Sequence, residues 1–114
     1  MTTSNGANYA YFMSITTTAS WLALAPKERF EFLEEVIKPL LARHPGVSMR
    51  FFDSEAFTTD STDVILWETA EPLIYQSLVE DLRETSFWGT YFEINRIVPA
   101  IENAYALHYD VAPL

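Results

Sequence analysis

The stretch VSMRFFDSEAFTTDSTDVILWET, residues 47–69, decides the architecture. Val47 to Asp53 sets Val47, Met49 and Phe51 against Ser48, Arg50 and Phe52, the period-two pattern of a strand. Thr62 to Thr69 carries a second strand whose centre, Val64-Ile65-Leu66-Trp67, is apolar on both faces. Ser54 to Asp60 between them is polar and acidic. Two strands joined by a loop, with no crossover helix, are expected to pair antiparallel.

Upstream of this pair, Phe30, Leu33, Ile37, Leu40 and Leu41 recur at three-or-four spacing and predict a helix over Lys27 to Arg43. Pro26 suits its first position, where an N–H is not needed. Pro39 is expected to kink or shorten its last turn, and His44-Pro45-Gly46 ends it. Ahead of it, Asn8 to Thr18 reads as a strand covered on both sides. Tyr9, Tyr11, Met13 and Ile15 lie on one face, with Ala10, Phe12, Ser14 and Thr16 on the other. Ala19 to Ala25 is a connection, with Trp21, Leu22 and Leu24 turned inward.

Downstream, Pro72 opens a second helix with the stripe Ile74, Tyr75, Leu78, Val79 and Leu82. Thr85 to Tyr91 forms an aromatic turn around Gly89, and Phe92 to Val98 alternates as a last strand. Pro99 to Leu114 is too apolar to be left in water and is expected to pack on the domain or on a second copy.

The order βαββαβ predicts an α+β, ferredoxin-like domain: a four-stranded antiparallel sheet with two helices on one face. Residues 1–7 form a flexible N-terminus and 8–114 a single domain with a packed C-terminal tail. The second sheet face carries too many apolar residues to stay open. A second copy packed on it gives a homodimer, the dimeric α+β barrel.

The chain has 114 residues, 49% of them hydrophobic, and no cysteine, so thiol chemistry, disulfides and cysteine metal sites are excluded. A net charge of −9 with scattered bases disfavours nucleic acid. No basic-then-apolar leader and no apolar run of about 20 residues is found, so no membrane partner is expected and a cytoplasmic location is.

VSMRFFDSEAF, TDVILWET, LVEDLRETSFWGTYFEI and the later ENAY resemble the darcynin family of small bacterial proteins, over roughly Glu35 to Tyr105. No catalytic signature falls in these blocks, and the resemblance implies no activity. By fold order alone the chain is similar to dimeric α+β barrel proteins such as small monooxygenases and haem-binding relatives.

Each candidate for chemistry also has a plain structural reading. His44 sits at a helix end, where a cation favours the dipole. His108, in the tail, can pack, act as a base or ligate haem. Asp53, Glu55, Asp60 and Asp63 surround the hairpin loop and fail the EF-hand spacing, so they read as a solvated acidic loop. Arg50 and Arg96 are expected on covered strands, paired with Glu68 or Glu93 or anchoring an anionic ligand. Trp67, Tyr75, Trp88 and Tyr91 are either core or the walls of an aromatic pocket. No G-x-S-x-G elbow or phosphate-binding glycine loop is present.

These residues favour a homodimer that binds a small, largely apolar or aromatic ligand through Arg50, Trp67, Tyr75, Trp88 and Tyr91, with no metal and no cofactor. The alternative is a cofactor-independent monooxygenase- or isomerase-like enzyme acting on an aromatic molecule, with Arg50, Tyr75 and His108 as its catalytic candidates. Haem handling through His108 is a third possibility.

Overall fold

Residues 6–114 are described by a computed structural model. Most of the N-terminal stretch expected to be flexible, residues 1–5, lies outside the described residues; Ala7 at its end is buried.

Strand β1 (Tyr9–Thr17) runs through the middle of the sheet and delivers the chain to Thr18. The Thr18 hydroxyl accepts from the Trp21 N–H and caps a short helix, α1 (Ala19–Leu22), within what the sequence alone reads as a plain connection. Pro26 then opens α2 (Pro26–Phe32), where the Glu28 carboxylate accepts from the Ala25 N–H.

The helix does not continue as α. Leu33–Ile37 forms a π turn before α3 (Lys38–Ala42). Pro39 supplies the physical reason. In a regular α-helix its ring would strike the Glu35 carbonyl and its missing N–H would leave that carbonyl unpaired. Widening the turn by one residue relieves both. Where the sequence predicts a kinked or shortened last turn at Pro39, the structure has a π turn just ahead of it.

Strands β2 (Val47–Asp53) and β3 (Asp63–Thr69) follow, then α4 (Pro72–Arg83), β4 (Phe92–Ile101) and α5 (Ala104–Tyr109). The sheet has the order β2-β3-β1-β4, antiparallel throughout. This is the α+β, ferredoxin-like arrangement expected from the sequence. β4 runs past Pro99 because it is an edge strand, where the missing N–H points away from any partner.

Register sorts the side chains into rows. The rows Met49–Trp67–Tyr11, Phe51–Ile65–Met13 and Asp53–Asp63–Ile15 face the helices. Met13, Ile15, Ile65 and Trp67 are buried there against Ile37, Leu40, Leu78 and Leu82. Burying each large aliphatic side chain contributes roughly 1.5–3 kcal/mol, so this layer dominates the stability.

Two contacts lock the helices down. His44 Nε2 lies 2.7 Å from the Asp81 carboxylate, tying the end of α3 to α4. A side chain at Gly46 would lie 2.7 Å from Ile74, so α4 approaches the start of β2 only because that position is glycine.

The rows on the other face are Arg50–Leu66–Phe12–Val98 and Phe52–Val64–Ser14–Arg96. Phe12, Phe52 and Val98 are exposed there. Arg50 and Arg96, expected to be covered and paired, are exposed and make no ion pair among the described residues. The reason is topological: both sit on edge strands of this open face.

The tail, expected to pack on the domain or on a second copy, packs on the domain only in part. It forms α5, anchored where the Glu102 N–H donates to the Asn8 carbonyl, but only Ala106 of the helix is buried. Leu107, Tyr109, Val111 and Leu114 are exposed. Extending β4 through Ile101 carries the tail along the sheet edge, away from the helical layer.

Candidate functional site

The binding and catalytic candidates Arg50, Trp67, Tyr75, Trp88, Tyr91 and His108 line neither of the two principal clefts. Trp67 is buried in the core, and its Nε1 has no hydrogen-bond partner among the described residues. Tyr75 stacks face to face on Tyr11, with ring centroids 3.6 Å apart, and its hydroxyl is likewise unpartnered. Burial, with Tyr11 beside it, pushes the Tyr75 hydroxyl up to about 12, so it stays protonated and is a poor base. Tyr91 packs with Trp21 and Phe32. Trp88 lies under the Arg83 guanidinium, 5.8 Å from its ring centre, and Arg50 lies over Phe52 on the open face. His108 is exposed on α5, edge-on to Tyr109.

None of these residues lines the main cleft, and Arg50, Tyr75 and His108 share neither of the two principal clefts. The smaller cleft, about 330 Å³, lies between Asn8 and α5.

The main cleft is built by other residues. It measures about 580 Å³ and lies between the helical layer and the β2 side of the sheet. Trp21 and Leu22 enter it from α1, Leu33 and Ile37 from the π turn, and Lys38 and Leu41 from α3. Met49 and Phe51 of β2 make its floor, with Phe87 and Phe92 beyond. Leu33 and Ile37 of the π turn line it together with Met49 and Phe51 of β2. Leu22, Leu33 and Phe51 are 59%, 37% and 47% exposed along this cleft.

One end of the cleft is acidic. Asp53 closes β2 and Asp63 opens β3, and the two stand directly opposite in register. Glu55 follows in the loop, and carboxylate oxygens of all three lie within 4.8 Å of one another. Like charges in direct cross-strand contact repel. Asp63 is only 5% exposed, which removes water that would otherwise screen that repulsion.

Burial pushes the Asp63 carboxyl from its ordinary 3.8 up to about 6. A hydrogen bond from the Thr62 hydroxyl, 2.8 Å away, opposes the rise. A hydrogen bond shared with Asp53, and the charges of Glu55 and Asp53, reinforce it. Lys38 also lines the cleft, but its ammonium pairs with Glu34 one turn back along the helix. Composition and spacing read these acids as a solvated loop; the structure gathers three of them and buries one.

The darcynin family, described as a domain of unknown function, matches residues 2–114. The chain is 48% identical over 99 residues to a darcynin homolog of Granulibacter bethesdensis, covering 86% of this chain and 80% of that protein. It is 41% identical over 104 residues to a darcynin homolog of Streptomyces avermitilis, covering 90% and 86%. Among solved structures it is similar to a heme-binding protein of Thermus thermophilus, with a TM-score of 0.74 and 17% identity over 90% of this chain and 43% of that one. It is also similar to a chlorite dismutase of Candidatus Nitrospira defluvii, with a TM-score of 0.71 and 14% identity over 88% of this chain and 41% of that one. At such identities the likeness is one of fold. The chain spans about two-fifths of the length of these solved chains.

Proposed function

The chain belongs to the darcynin family, and we propose that it binds a small, largely apolar molecule in the cleft between its helices and β2, and does so as a homodimer. The observation that carries this reading is the exposure of the apolar side chains Leu22, Leu33 and Phe51 along one cleft. Apolar side chains on a cleft wall favour an occupant that removes them from water. The volume, about 580 Å³, falls in the range of small-molecule sites.

Haem does not suit this cleft. Its lining offers no histidine, cysteine or tyrosine, and the carboxylates Asp53, Glu55 and Asp63 would repel the haem propionates. His108, the ligand candidate from the sequence, lies outside it. A haem role is therefore not part of the proposal.

Binding of the neutral apolar dye Nile red tests the reading. Its fluorescence should rise and shift to the blue with the wild-type protein. Leu33→Trp, which fills the cleft from a partly exposed position, should abolish most of that signal at unchanged thermal stability. Val98→Thr on the open sheet face should leave it unaltered. Equal loss in both variants, or in neither, places the dye elsewhere and removes the support.

A further inference from the structure

We propose that the molecule bound in the cleft is an organic cation, an amine protonated at neutral pH on an apolar body, with its ammonium seated among Asp53, Glu55 and Asp63. This rests on the cleft being the binding site. It goes further by assigning the chemistry of the ligand's polar end.

The charged groups facing the cleft are few. Asp53 comes from β2, Glu55 from the loop after it, Asp63 from β3 and Lys38 from α3. Lys38 is the only cation among them, and it is engaged by Glu34 on its own helix. The three converging carboxylates make no ion pair among the described residues, and their charge outweighs that of Lys38, so an anionic ligand would be repelled. A neutral ligand would leave the register pair Asp53 and Asp63 uncompensated.

A hard divalent ion fits less well. It takes about six to eight oxygen ligands. Beyond the carboxylates the lining offers the hydroxyls of Thr17 and Thr62, and that of Thr62 already donates to Asp63 and accepts from the Thr17 N–H. The rest of the wall is mainly apolar, with Leu33, Ile37, Leu41 and Phe51 prominent in it. An ammonium has three donors, one for each carboxylate, and brings the apolar body that such a wall favours. The raised Asp63 carboxyl agrees with this: an arriving cation would favour its ionised form and release its proton.

Calorimetry with phenethylamine, phenethyl alcohol, hydrocinnamate and calcium chloride alone, at about pH 7.5, tests the inference. Phenethylamine should bind about tenfold or more tighter than the alcohol, with hydrocinnamate the weakest of the three. Glu55→Gln, at an exposed position that does not threaten folding, and Asp63→Asn should each erase most of that advantage while the alcohol binds as before. Equal affinity for amine and alcohol overturns the cation assignment and leaves the apolar cleft standing. Failure of all three organic probes, together with failure of Nile red, overturns the cleft reading itself. Tight binding of calcium that excludes phenethylamine from a wild-type site, with no preference for the aromatic body, replaces the amine by a metal ion and overturns the proposal.

Discussion

Asp63 is held where its charged form is least welcome: buried, opposite Asp53 and near Glu55. Its carboxyl titrates near 6 in the folded protein and near 3.8 when unfolded, so the folded state binds the proton more readily. Stability should therefore fall as pH rises from below 4 to above 6 and stay at the lower level beyond. Asp63→Asn removes the charge at constant shape, so it should stabilise the protein by roughly 1–3 kcal/mol at about pH 8 and change little at about pH 4. Urea unfolding at the two pH values checks this, and an equal effect at both would discount the buried carboxylate. Part of the arrangement was legible in the sequence. Asp53 ends the strand read from alternation and Asp63 lies at the start of the one read over Thr62 to Thr69, and a symmetric hairpin brings such ends face to face. Composition hid it, because a loop rich in acids looks solvated whichever residue is buried. Trp67 and Tyr75, read from the sequence as either core or the walls of a pocket, are buried in the core.

At the scale of elements, the strands and long helices follow from local patterns. β2 begins at Val47 and ends at Asp53 as alternation predicts, and Pro26 and Pro72 each open a helix. The parts that were not legible depend on the neighbours. β4 passes through Pro99 because it lies at an edge, and α1 forms on a single threonine cap. The π turn is the case that bears on the proposed cleft. A stripe of Phe30, Leu33 and Ile37 fits either helix, so periodicity cannot detect one extra residue in a turn, and only Pro39 hints at it. Restoring an N–H at that position should let the segment tighten towards a regular helix. Pro39→Ala is expected to raise stability by about 1 kcal/mol, less than the full helix-interior penalty of proline because the π turn already absorbs part of it. It should also weaken Nile red binding, since Leu33 and Ile37 would be turned relative to β2. Dye titration beside thermal denaturation reads both effects. Gained stability with unchanged dye affinity would separate the π turn from the cleft.

At the scale of the whole molecule, the sheet has one face sealed by helices and one that is not. The sequence already implied this, because the apolar residues of β1 occupy both faces while the helical stripes can cover only one. The sequence could not supply the charge layout of the open face, which depends on strand order. Arg50 and Arg96 lie on opposite edge strands, flanking the central Phe12 and Leu66, so a second copy related by a two-fold axis can bury the middle and leave the arginines at the rim. A four-stranded face of this length offers about 450 Å² per copy at ordinary strand spacing, below the roughly 800 Å² usual for a stable partner. The missing area has a source in α5 and the residues after it, where Leu107, Tyr109 and Val111 are exposed at the end of the longest strand. The proposed dimer should therefore use both the face and the tail, and weaken when either is altered. Analytical ultracentrifugation should find a species of twice the 13.1 kDa chain mass that dissociates on dilution. Phe12→Glu, a charge at the centre of an exposed face, should shift it to monomer with the circular dichroism spectrum unchanged, and truncation after Asp110 should weaken it less severely. A wild-type protein that stays monomeric at high concentration, or a dimer indifferent to Phe12→Glu, would remove the second copy from this face.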